Sequence, residues 1–324
     1  MHPAFSVIFL TTLIGAGQGL FLALMTAEAF SHIGGLSPQE DTFYANGGML
    51  SLGLLIAGLA ASFFHLGHPE RAWRSAAMWR TSWLSREVIA LPAFMGIVFI
   101  YALLHFIGWN PMVFGTTALP EANLTLVVGI IGVFLCFALF ICTGMIYACL
   151  KFLQEWHTPL TPINYTLLGM SSGFTLATAF ASQYNTEVTS LFGTWAIILT
   201  LSALITRGAS LIRNKRIKHR SSLSSAIGVR HSKIQQKSQG SMGGSFNTRE
   251  YFHGKTAAFL KSVKWIFLLL VFPLPLLFIG LGLNSDAATL LALAFVVQYI
   301  GLIAERWFFF AQANHPQNLY YQTV

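Results

Sequence analysis

The chain has 324 residues, of which 55% are hydrophobic and only 9% charged, and its mean hydropathy is +0.63. That balance excludes an ordinary soluble globular protein and calls for a lipid solvent. The formal net charge of +8 accompanies no nucleic-acid-binding motif, so nucleic acid is not an expected partner and membrane lipids are.

A hydrocarbon core of roughly 30 Å takes about 20 apolar residues per helix. On that measure the chain carries about eight transmembrane helices, expected near residues 5–31, 44–65, 87–107, 124–150, 162–182, 188–207, 263–283 and 286–311. Backbone polar groups in lipid must bond within their own segment, and these runs are too long and too evenly apolar for barrel strands. The fold class is therefore all-α, a polytopic membrane helical bundle in which residues 1–324 form a single integral membrane domain. The first run follows Met1-His-Pro-Ala with no basic stretch and no small-residue cleavage motif, so it is expected to be a retained span and not a signal peptide.

Between the second and third runs lies a polar island, His65-Leu-Gly-His-Pro-Glu-Arg-Ala-Trp-Arg, continuing to Trp83-Leu-Ser-Arg-Glu87. Gly67 and Pro69 end the helix and bend the chain. Helices that are consecutive and antiparallel bring His65 and Glu87 to one membrane face despite the 22 positions between them. Arg71 and Arg74 share a face at i, i+3, and Trp73, Trp79 and Trp83 carry the amphipathic rings favoured at an interface.

The three cysteines, Cys136, Cys142 and Cys149, all fall on the fourth run, without the spacing of a disulfide framework or a cluster-binding motif. After the sixth run the composition shifts. Residues 208–260 form a basic loop that opens on Arg213-Asn-Lys-Arg-Ile-Lys-His-Arg220 and then turns rich in Ser, Gln and Gly. Such a segment buries too little apolar area to fold alone. It reads either as a basic linker near anionic headgroups or as a docking segment, since Phe246-Asn-Thr-Arg-Glu-Tyr-Phe-His-Gly254 mixes aromatic and charged residues as interfaces do.

Thirteen of the nineteen Lys and Arg lie between Arg207 and Lys264, and Arg71, Arg74, Arg80 and Arg86 lie in the second loop. These even-numbered loops share one face, whereas Glu40, Asp41, Glu121 and Glu187 mark the odd ones. By the positive-inside rule both termini and the basic loops are expected to be cytoplasmic.

A quinone head suits the chemistry of the island. Its two carbonyls become hydroxyls on two-electron, two-proton reduction, so its site needs hydrogen-bond donors and a proton route. An imidazole and a partly buried carboxyl provide both, and apolar helices offer a groove for the tail. The residues alone equally fit a plainer account, in which the arginines set orientation, Glu70 and Glu87 pair with them, and His65 ends a helix.

The pattern His65-Leu-Gly-x-Pro-x-Arg71-Ala, then Leu84-Ser-x-x-Glu87, with Arg306-Trp-Phe-Phe-Phe near the end, resembles the membrane-anchor subunits of the dimethyl sulfoxide reductase family across most of the chain. His2-Pro-Ala-Phe-Ser-Val-Ile-Phe, the Phe246–Gly254 stretch and His315-Pro-Gln-Asn-Leu-Tyr-Tyr are most similar to the membrane subunits of cytoplasm-facing sulfite dehydrogenases. The resemblance implies an anchor in the bacterial inner membrane for a molybdopterin catalytic subunit and an iron-sulfur electron-transfer subunit. It also implies electron exchange with ubiquinone or menaquinone at His65 and Glu87. Arg71, Arg74, Trp83 and Arg306 are expected to bind the quinone, and no metal is expected in this chain. Three alternatives stand beside this: a haem b subunit using His32 and His105, a dimethyl sulfoxide reductase-type anchor working as a quinol oxidase, and a transporter.

Overall fold

In a computed structural model of the chain, residues 1–116, 119–218, 222–231, 233–235 and 251–316 are described. The helices are α1 (Phe5–His32), α2 (Asp41–Ser62), α3 (Trp83–Ile107), α4 (Leu124–Ala148), α5 (Leu160–Ala181), α6 (Thr186–Lys215), a short α7 (Leu223–Ile227), α8 (Ala257–Val271), α9 (Pro273–Ser285) and α10 (Ala288–Ala311). Seven segments, with α8 and α9 taken as one, are long and apolar enough to cross a membrane. The all-α membrane bundle expected from composition is the observed architecture.

The fifth expected span, α5, is helical where it should be but more polar than the other seven. Its position explains this. Asn164, Tyr165, Ser171, Ser172, Thr175 and Thr178 are all buried, so α5 is solvated mainly by its neighbours and not by lipid. Ser171 and Thr200 of α6 lie 2.7 Å apart, and Gln298 of α10 donates to Ser171 at 2.9 Å. Small residues let α5 approach α1 closely: a Cβ on Gly173 would overlap the backbone of Gly19, which is how membrane helices gain packing without a hydrophobic driving force.

Two local features were not expected. The seventh span is broken, because Pro273 cannot continue the hydrogen-bond ladder of α8, and Phe272 takes φ −113° and ψ −77° between the two halves. A small antiparallel hairpin, β1 (Met112–Thr116) and β2 (Leu119–Asn123), joins α3 to α4. The sixth helix also continues to Lys215, so the first basic residues of the following segment are helical.

Aromatic rings fill the centre between α1 and α3. Phe21 and Phe94 are fully buried, edge to face at 5.4 Å, and Phe21 meets Tyr101 at 5.5 Å. Along this helix pair the layer separates two polar ends. One carries the island and the ends of α4, α6 and α10, and is called here the basic end.

Candidate functional site at the basic end

The island is built on 3-10 geometry. After α2, Phe63–His65 form a single 3-10 turn, and Pro69–Met78 form a longer one with proline at its start. Ser82 caps α3 by accepting from the Ser85 amide. Arg86 ties the island to that helix: its Nε donates to the Trp79 carbonyl at 2.9 Å, its Nη2 to the Arg80 carbonyl at 2.8 Å, and its guanidinium lies 4.2 Å above the Trp83 ring. Four of the six residues singled out as a quinone site stand here. His65 is exposed at the end of its turn, and Trp83 is partly exposed. Arg71 is exposed, with its Nε 3.6 Å from Glu70, and Arg74 is exposed beside Trp73. Among the described residues, no hydrogen bond or ion pair joins any of these four to Glu87.

Glu87 occupies the first turns of α3, partly exposed on one side. Thr143 of α4 donates to its Oε1. Behind it lies a space of about 10 Å³ whose polar wall includes Gln18 of α1, Glu87, Thr143 and Tyr165 of α5. That is room for one water and no more.

Arg306, the sixth residue, is nearly fully buried, and its guanidinium carbon sits 3.6 Å over the Tyr165 ring. Its Nη1 is 3.5 Å from Glu305 Oε2, while Glu305 Oε1 is 2.7 Å from Arg207 Nε on α6. Tyr165 therefore neighbours both Glu87, across the small space, and Arg306, over its ring, although neither the distribution of charge nor the motif marks it. Arg207 escapes sequence reasoning for a related reason: counted as the first cation of a basic loop, it is 1% exposed inside α6. A signal was present, because the apolar run continues past it to Leu211 and Ile212.

At the opposite end a second polar cluster is buried. Glu28 accepts from Tyr101 at 2.7 Å and from Thr125 at 2.6 Å. His105 lies between Glu28, 3.8 Å away, and Asp41, 2.7 Å away, and its ring stacks on Tyr44 at 4.7 Å. His105 is thus engaged by carboxylates, while His32, its expected partner in the haem alternative, ends α1.

The basic end also gathers segments far apart in sequence. The Met1 amine donates to the Ala313 carbonyl at 2.8 Å, and Ile8 packs with Trp156, Phe309 and Phe310. Tyr251 stacks on His315 at 3.8 Å. Burial, and then the charge of the chain's amine, hold the His315 and His253 imidazoles below their usual range. Residues 246–250 of the aromatic-charged stretch, and those after Pro316, lie outside the described residues.

The model of the DMSO reductase anchor subunit (DmsC) family matches residues 1–321. The chain belongs to that family. It is also 55% identical over 324 residues to a sulfite dehydrogenase subunit of Allochromatium vinosum, with the whole of both chains covered. The chain is accordingly a multi-span membrane anchor subunit of an oxidoreductase complex, and its role is to be sought in what an anchor does for catalytic partners.

Proposed function

We propose that this anchor passes electrons from a partner iron-sulfur subunit to a membrane quinone, and that the donor oxidised by the molybdopterin catalytic partner is sulfite. In this reading the basic end faces the cytoplasm of a bacterial inner membrane. The observation that carries it is Glu87: a carboxyl near the basic end, on a partly exposed residue, held by Thr143 at the wall of a small space that Gln18 and Tyr165 also line. A carboxyl so placed can hand a proton to a reduced carbonyl oxygen and recover it from behind.

The space behind Glu87 is too small for a quinone ring, so the ring would approach from the exposed side. There His65 would donate to or accept from the second ring oxygen, Trp83 would flank the ring, and Arg71 and Arg74 would orient the head or a partner carboxylate. Arg306 would act through Tyr165, because it is buried against that ring. The chain itself carries no metal centre in this proposal. Sulfite as the donor is supported by the relative's name alone.

His65→Ala and Glu87→Gln in the intact complex provide the test. Each is expected to lower sulfite-to-quinone turnover by about 100-fold or more, the range of a lost acid or base, while sulfite-to-dye turnover at the catalytic partner stays unchanged. Unchanged quinone kinetics in both variants would refute the site.

A further inference from the structure

The wall of the space behind Glu87 contains one unused polar group. Tyr165 is 4% exposed and lines that space, yet its hydroxyl has no hydrogen-bond partner of ordinary geometry among the described residues. The Tyr147 hydroxyl is its polar neighbour, and the two rings stack at 5.5 Å. A buried hydroxyl is costly to leave unsatisfied, and a polar space of this size holds one water making about three hydrogen bonds.

We infer that a single water bridges the Glu87 carboxyl and the Tyr165 hydroxyl, and that Glu87 is reprotonated through it from the basic end. The inference rests on the quinone reading above. Reduction of the ring takes two electrons from the partner's iron-sulfur cluster and two protons. For each proton that Glu87 delivers, its O–H bond breaks as the quinone O–H bond forms. The carboxylate then takes a proton from the water, the water takes one from Tyr165, and Tyr165 takes one from Tyr147. Tyr147 stands near the end of α4, and its proton is replaced from the basic end. Every oxygen in the chain ends as it began, and the second proton reaches the other ring oxygen from His65, exposed at the same end.

Two further observations fix the direction and the means. Between Gln18 and Glu28 on α1, and between Glu87 and Tyr101 on α3, lie the packed rings of Phe21 and Phe94, both fully buried. These rings interrupt a polar path from the Glu28 cluster along that helix pair, whereas Tyr147, near the end of α4, opens the relay toward the basic end. The Arg306 guanidinium over the Tyr165 ring favours the partial negative charge that develops on that oxygen as its proton leaves.

The test uses the intact complex with decylubiquinone as acceptor. In redox difference infrared spectra of the parent complex, transfer to heavy-oxygen water is expected to shift a water band, and Tyr165→Phe to displace the Glu87 carboxyl band. Tyr165→Phe is also expected to lower kcat by about tenfold, with KM for the quinone and dye-coupled turnover unchanged. The absence of a heavy-oxygen-sensitive water band in the parent overturns the inference without any variant having to assemble. So does a Tyr165→Phe complex with an unmoved carboxyl band and full kcat. Glu87→Gln separates the two levels: if it abolishes quinone turnover while Tyr165→Phe does not lower it, only the relay fails. If Glu87→Gln keeps full quinone turnover, the quinone reading fails and the relay with it.

Discussion

Glu305 shares its two oxygens between Arg207, 2.7 Å away, and Arg306, 3.5 Å away, and all three side chains are almost completely buried. Two cations and one anion taken out of solvent are tolerable only while the anion is present. Glu305→Gln is expected to destabilise the chain by about 3–5 kcal/mol, the usual consequence of removing one partner from a buried pair. It would be read as a lower thermal midpoint of the detergent-solubilised complex, and an unchanged midpoint would mean that solvent reaches the arginines. This trio was only partly legible in the sequence. Arg306 was singled out in the arginine-aromatic stretch near the end of the last span, but Arg207 lay among a long series of basic residues. Charge counting records the sign of a residue and not its depth. The same limit applies to Tyr165 and Thr143, which are ordinary as letters and matter only because α4 and α5 bring them to Glu87.

At the level of elements, hydropathy located the helices and packing decided their character. Seven spans are long and apolar, whereas α5 is polar because its neighbours are α1, α4, α6 and α10. The sequence signal for α5 was correspondingly weaker, since a helix shielded from lipid need not resemble lipid. Its contact with α1 rests on glycine. A Cβ on Gly173 would overlap the Gly19 backbone, and one on Gly19 would stand 2.5 Å from the Gly169 carbonyl oxygen. Gly173→Leu is therefore expected to force α1 and α5 apart and to abolish assembly with the partner subunits, measured as loss of co-purification. Gly96, where a side chain would meet nothing within 4 Å, is the matched control, and Gly96→Leu should assemble normally. The break at Phe272–Pro273 was not expected, because hydropathy over 263–283 is continuous and carries no record of the proline's missing N–H.

For the whole molecule, the distribution of charge makes a prediction about orientation. The ends of α2, α4, α6 and α10 and the starts of α1, α3, α5 and α8 share one end, and Arg71, Arg74, Lys151, Arg213 and Lys218 are there as well. A phosphatase reporter fused after Val324 is expected to be inactive and a fluorescent one active, as the positive-inside rule requires of a cytoplasmic terminus. The opposite pattern would invert the molecule and detach the quinone proposal from a cytoplasmic catalytic partner. The sequence by itself determined the helical class, the approximate position of each span, the polar island and the asymmetry of charge, because these depend on local composition measured against a bilayer of fixed thickness. Tertiary structure alone decided that Glu87 meets Thr143 and shares a space with Tyr165, that Arg306 lies over the Tyr165 ring, and that Arg207 is internal. Those neighbours come from helices separated by dozens to hundreds of residues, and only the packing of glycines and aromatic rings between the helices selects which faces meet.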